Sequence, residues 1–243
     1  MNTTTLNRPL RLGVITGPDW ADPTGTDFTC RHPGQVTVLT HELPLEGFDW
    51  SLEQMARCEA PVRRAAEALV GQGCDVVVQA GPAFAYQMGG DASGAQRLED
   101  DISRDLGCPL VLNGVAVWRE LASLPHRRIA AACPYYDEHW QAWIMQYLEQ
   151  DGYEVAKFAT YCNTGLFPDQ ATVNERKYQF SPVEVQACVR AAVQGVPDIS
   201  GVLIGGSGVR TLDWIETLSG ELGLPLISAD ASLYHATLAR LSA

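Results

Sequence analysis

The chain has 243 residues, 46% of them hydrophobic and 19% charged, a balance suited to one large or two small globular domains with a proper core. Its net charge of −12 argues against nucleic acid as a partner, while leaving room for a small anion in a pocket whose local field opposes the global one. The N-terminal stretch lacks the apolar core of a signal peptide, and no run approaches the ~20 apolar residues of a membrane span. The expectation is a cytoplasmic protein with no membrane partner. Seven scattered cysteines without a CxxC pair fit neither a disulfide framework nor a zinc site.

In chain order, apolar runs at 11–16 (RLGVIT) and 35–40 read as strands, followed by an Ala-rich amphipathic helix over 51–71. A strand at 74–79 and a polar helix at 91–106 come next, the helix stopped by Gly-Cys-Pro. Strands follow at 109–112 and 127–132, then a helix over 137–149 and a strand at 154–160. The helix over 181–193 opens with Ser181, Pro182 and Glu184, which supply an N-cap, a first-turn proline and a capping-box acid. The remainder reads as a strand at 199–204, a helix at 211–222, a strand at 224–228 and a helix at 231–241.

Strand and helix alternate throughout, which predicts an α/β protein with parallel sheets covered by helices. The halves echo one another. RLGVITGPDW (11–20) matches RRIAAACPYY (127–136) in pattern, and DVVVQAGPA (75–83) matches SGVLIGGSG (200–208). The expected architecture is two pseudo-symmetric Rossmann-like domains facing each other across a cleft. The first spans 8–115 plus 225–243 and the second 116–224, with a hinge near 113–117.

Loops at the carboxyl ends of parallel strands are where α/β proteins bind anions. Four stand out here: 16–24 (TGPDWADPT), 80–86, 133–139 (CPYYDEH) and 205–210 (GGSGVR), with 162–164 joining them. Backbone N–H groups around Gly81, Pro82 and Ala83, and around Gly206, Ser207 and Gly208, could hold a carboxylate or act as an oxyanion hole. Tight turns requiring positive φ at glycine are the alternative. Asp19 and Cys133 are the favoured groups for proton movement, ahead of Asp22, His41, Glu42, Asp137, His139 and Asp230.

These segments, with YCNTG (161–165) and GVLIGGSGVRTLDWIETLSGELGLPLISAD (201–230), resemble the aspartate/glutamate racemase superfamily, within it the maleate isomerase and arylmalonate decarboxylase branch. The resemblance covers nearly the whole chain. It implies a small carboxylate substrate, neither metal nor organic cofactor, and a homo-oligomer. It also implies that Tyr135 hydrogen-bonds the substrate carboxylate, that Asn163 binds substrate, and that Arg210 holds its loop or meets a carboxylate. The family's two cysteines fall on Gly81 and Gly206, so both thiols are missing. A thiol of pKa ~8.5 can serve as acid, base or nucleophile, whereas glycine has no titratable group.

The two glycines argue against two-thiol racemisation and leave space for a water or a bulkier substrate group. The expected function is cofactor-independent lyase, decarboxylase-like or isomerase-type chemistry on a small carboxylate or dicarboxylate, without the usual cysteine pair. A hydrolase using water in that space, or a non-catalytic carboxylate-binding protein, are the alternatives.

Overall fold

The computed structural model describes residues 8–19 and 22–241. Within them the eight expected strands all form: β1 (Leu10–Thr16), β2 (Val36–Glu42), β3 (Val76–Gln79), β4 (Leu110–Leu112), β5 (Arg128–Ala132), β6 (Glu154–Ala159), β7 (Val202–Ile204) and β8 (Leu226–Ser228). The helices are α1 (Thr24–Arg31), α2 (Leu52–Ala56), α3 (Glu59–Gly71), α4 (Pro82–Gly89), α5 (Ala92–Leu106), α6 (Asn113–Ala122), α7 (Glu138–Gln150), α8 (Gln170–Glu175), α9 (Pro182–Val193), α10 (Ile215–Leu222) and α11 (Ala229–Leu241). None of the described helices is long and apolar enough to cross a membrane.

The strands build two four-stranded sheets of the same order, β2-β1-β3-β4 and β6-β5-β7-β8, every pair parallel. The chain divides into two compact units. One holds the residues up to Ala116 together with those from Leu233 onward, and the other holds Val117–Ser232. The crossing into the second unit lies inside α6, and the return comes after β8, which pairs with β7, rather than before it at 225.

Apart from the partly exposed edge strands β2 and β6, the strands of each sheet are largely apolar and buried, as parallel sheets covered by helices require. In the first unit Leu12, Val14, Val76, Val78 and Val111 pack with Phe28 and Leu233. In the second, Ala130, Ala132, Val202 and Ile204 pack with Val185, Val189 and Leu218.

The strand order fixes where chemistry can occur. From β1 the chain steps to β2 on one side and then to β3 on the other, so the loops leaving β1 and β3 diverge. The same happens at β5 and β7. Ligands of open α/β sheets lodge at such switch points, outside the carboxyl ends of the strands.

Four helices escape the sequence pattern, α1, α4, α6 and α8, and two others differ in their bounds. The run PAFAYQMG is apolar almost all round and reads as a continuation of the strand loop, yet it forms α4 behind Gly81, with Pro82 at its first position. The expected hinge at 113–117 is the start of α6. The helix expected over 51–71 splits into α2 and α3. Pro61 has no N–H and is tolerated in the first turn of α3 but not inside a longer helix. The helix expected from 211 begins only at Ile215.

Candidate active site

In the second unit, residues 133–137 leave β5 and residues 205–211 leave β7, side by side at the switch point. Tyr135 links them: its phenolic oxygen accepts a hydrogen bond from the Gly208 N–H at 2.9 Å. Gly206 has φ of 86°, and a Cβ built there would overlap the Tyr135 hydroxyl and lie 2.6 Å from Cζ. The phenol therefore occupies the volume in which a side chain at position 206 would stand. This corrects the expectation of vacant space at that glycine.

The Tyr135 ring is clamped on several sides. Phe180 stacks on it at 6.1 Å between centroids, while Tyr178 and Tyr136 meet it edge-on at 5.0 and 5.4 Å. Tyr178 reaches this position through left-handed backbone at Lys177 and Tyr178, with φ of 44° and 65°. A Cβ on Gly208 would lie 2.5 Å from the Tyr178 ring, so only glycine lets the two approach. Desolvation by burial pushes the Tyr135 phenol up, against the smaller opposing effect of the Gly208 N–H. It keeps its proton at neutral pH.

The segment carrying Tyr178 and Phe180 is held from both ends. The Arg176 guanidinium donates to the Gln179 carbonyl and to both carboxylate oxygens of Glu184. Glu184 in turn accepts from the Ser181 N–H at 2.7 Å and completes a capping box at the start of α9. Burial pushes the Glu184 carboxyl up, but the Ser181 N–H and hydroxyl and the Arg176 guanidinium together hold it below the usual carboxylate range. A carboxyl with a lowered folded pKa stabilises the fold above its unfolded value and loses that contribution as pH falls through the folded one. Ser181→Ala is expected to cost about 1 kcal/mol at pH 7. Glu184→Gln should show a deficit that shrinks below about pH 4, measured by urea melts across pH.

The loop from β7 is anchored from beneath by a buried network. Asp230, on the first turn of α11, accepts from the Thr211 N–H at 2.5 Å, from the Thr211 hydroxyl at 2.7 Å and from the Ser228 hydroxyl at 2.8 Å. Thr211 and Ser228 are fully buried and Asp230 nearly so. Above this anchor the N–H groups of Gly206 and Ser207 meet no acceptor among the described residues, and Ser207 is half-buried.

The first unit has a corresponding cluster. Gly81, with φ of 95°, is the N-cap of α4 and donates its N–H to Asn113 Oδ1 at 3.3 Å. The buried Gln79 amide donates to the carbonyls of Ala80 and Gly81. Pro82 has no N–H, so the first-turn donors left by the helix start are those of Ala83 and Phe84. Trp50 lies directly over Gly17, where a Cβ would sit 2.5 Å from the indole, and packs with Phe48 and Phe84.

The family model for arylmalonate decarboxylase matches residues 41–242, covering both clusters except the loop after β1. The chain belongs to the arylmalonate decarboxylase family. No curated protein matches it significantly in sequence. Among solved structures, an arylmalonate decarboxylase is 21% identical with a TM-score of 0.73, over 94% of this chain and 91% of that one. A maleate isomerase from Pseudomonas putida S16 is 19% identical with a TM-score of 0.73, over 97% and 94%. A Nocardia farcinica maleate cis-trans isomerase mutant with a covalently bound succinylcysteine intermediate is 18% identical with a TM-score of 0.74, over 96% and 93%. These likenesses establish that the fold is shared.

Within this arylmalonate decarboxylase family member, the residues singled out from sequence meet different fates. Cys133 lies against Gly205 and is fully buried, and burial pushes its thiol up. It packs at the strand end and is closed to solvent, which counts against the proton-moving role expected of it. Asn163 uses its side-chain oxygen on the Thr160 N–H at 2.8 Å and its amide on the Phe158 carbonyl at 3.0 Å, so it shapes the turn after β6. Arg210 is exposed, and its carbonyl accepts from the Trp214 indole. Asp137 caps α7, and His139 is exposed on its first turn. Asp19 is exposed with φ of 53° and donates its N–H to Glu42 at 3.4 Å. His41 and Glu42 belong to β2, not to a covering loop. Trp20 and Ala21 of the first loop lie outside the described residues.

The sequence reading missed the Tyr178–Phe180 clamp, which has no periodic signal, and the anchoring role of Asp230. Among the described residues no group of His, Cys, Asp and Glu is arranged to hold a metal ion. All seven cysteines are unpaired; only Cys30 and the half-buried Cys162, which donates to Gln170 Oε1 at 3.6 Å, are not buried.

Proposed function

We propose that this protein is a cofactor-independent lyase that decarboxylates a substituted malonate. The observation that carries the reading is the family match, which runs through a loop pair rich in backbone donors and lacking an exposed, activated thiol. Loss of CO2 from a malonate leaves an enediolate, and the needs of that step are hydrogen-bond donors for the developing charge and one proton. The N–H groups of Gly206 and Ser207 and the Ser207 hydroxyl suit the first need. On the first unit the Ala83 N–H is a donor of the same kind, the Gly81 N–H being held by Asn113 Oδ1, and Asp19 lies in the loop after β1.

A covalent succinylcysteine, as in the Nocardia farcinica isomerase, requires a nucleophilic thiol. In the second unit's loops Cys133 is buried and Cys162 is hydrogen-bonded, which favours decarboxylation over addition–elimination.

The test is incubation with methyl-, phenyl- and methylphenylmalonate and with maleate, followed by NMR. Monocarboxylate and CO2 from at least one malonate, with no fumarate from maleate, is the expected result. Fumarate production, or calorimetric binding of every malonate without product, would overturn it.

A further inference from the structure

We infer that Tyr135 is the proton donor of this reaction, delivering its phenolic hydrogen to the α-carbon of the enediolate; the inference rests on the decarboxylase reading above. Three observations place a donor there. The Tyr135 oxygen is fixed by the Gly208 N–H at 2.9 Å, a bond in which the oxygen accepts, so its own hydrogen remains to be given. The hydroxyl stands in the volume belonging to a side chain at position 206, between the loops that leave β5 and β7. The ring is held there by Phe180, Tyr178 and Tyr136, so the oxygen has little freedom to move.

Other titratable groups of the second unit's loops fit less well. Cys133 is sealed behind Gly205. Cys162 donates its thiol hydrogen to Gln170 Oε1. Tyr161 is fully buried among Phe167 and Phe180. Tyr178 packs edge-on against the Tyr135 ring.

The step balances. The bond from the α-carbon to one carboxylate breaks, CO2 departs, and the electron pair remains on the enediolate of the other carboxylate. The α-carbon then forms a C–H bond with the Tyr135 proton. The resulting phenolate keeps the Gly208 N–H as its donor and recovers a proton from water, so the net reaction consumes one proton per CO2 released. Tyrosine has precedent among side chains that act as general acids. Burial disfavours the phenolate and so works against the transfer, the Gly208 N–H offsets part of that by holding the phenolate oxygen, and the driving force comes from the basicity of the carbanion.

The experiment uses the full chain and methylphenylmalonate, whose product is chiral. In Tyr135→Phe, which retains the ring, kcat should fall by about a hundredfold with KM changed by less than about threefold. The residual product should be racemic, because bulk water would protonate either face, whereas wild type gives one enantiomer in excess. Cys162→Ser should keep wild-type kcat and the same enantiomer. Should Tyr135→Phe fail to fold, protein grown with 3-fluorotyrosine keeps the ring packing and acidifies every phenol. Its kcat should then shift by more than about twofold with the same enantiomer in excess.

An undiminished enantiomeric excess in Tyr135→Phe, a rise in KM alone, loss of turnover in Cys162→Ser, or an unchanged kcat in the fluorotyrosine protein would each overturn the assignment while leaving the decarboxylase reading intact. A wild-type protein that releases CO2 from no malonate overturns both.

Discussion

Replacing Asp230 by alanine is expected to destabilise the protein by about 3–4 kcal/mol, a loss at the upper end for a single substitution. The carboxylate accepts three hydrogen bonds from Thr211 and Ser228 in a buried setting, and alanine leaves the Thr211 N–H without an acceptor. An unsatisfied buried donor costs about 1–3 kcal/mol, more when the lost partner was charged. The two hydroxyls can still bond each other, since Thr211 Oγ1 and Ser228 Oγ are 2.7 Å apart, so part of the network survives. Asp230→Asn keeps the shape and one acceptor and should cost only about 1–2 kcal/mol.

Urea melts at constant slope check both numbers, and the melting temperature of the alanine variant should drop by about 10 °C. If Asp230→Ala melts within a degree or two of wild type, the network is not the anchor described here. A second readout separates anchoring from folding. With the loop from β7 loosened, kcat on the true substrate should fall even at temperatures where the variant is fully folded.

The second large effect is expected at Gly206. Alanine there meets two penalties that glycine avoids. A left-handed φ costs an L-residue roughly 1–2 kcal/mol. The new methyl would also overlap the Tyr135 hydroxyl, forcing the ring away from Gly208 and breaking a bond worth about 1 kcal/mol. Gly206→Ala should therefore lose about 3 kcal/mol of stability and about a hundredfold or more in kcat.

A double-mutant cycle isolates the collision. In a Tyr135→Phe background the hydroxyl is gone, though a ring carbon 2.6 Å from the new methyl remains, so the relief is partial. A coupling of about 1 kcal/mol between positions 206 and 135 is expected. Strict additivity would mean that the two side chains do not compete for one volume.

Much of the scaffold was legible because buried parallel strands are short apolar runs that stand out against polar helices. All eight strands, and the repeated pattern linking 11–20 to 127–136, could be read that way. The helices that escaped did so for identifiable reasons. PAFAYQMG has no polar face to mark it as α4, and NGVAVWRELA follows β4 without the turn that usually announces a new element. The site was legible as loops but not as contacts.

Tyr135 was recognisable as a candidate, yet nothing near it in the chain reveals that its hydroxyl fills the space beside Gly206. That fact depends on the register of β5 against β7. The Tyr178 clamp needs two non-glycine residues in left-handed backbone, which local propensity disfavours and only the surrounding structure can impose. The burial of Cys133 is hidden from the sequence for the opposite reason. A thiol at a strand end looks available in sequence, and the absence of a side chain on Gly205 draws it into the core instead.

The division of the chain also has a consequence for the order of its biosynthesis. The core of the first unit includes Leu233, and Tyr234 rests on Phe28 at 4.7 Å while its hydroxyl meets His32 at 2.8 Å. A chain emerging from the ribosome makes residues 10–116 first and α11 long afterwards, whereas Val117–Ser232 is contiguous. The first sheet must therefore wait, with the patch around Phe28 uncovered, while the second unit is completed. A partly made chain is most exposed to aggregation and proteolysis during that interval. The half of the molecule that is translated first is the half that finishes folding last.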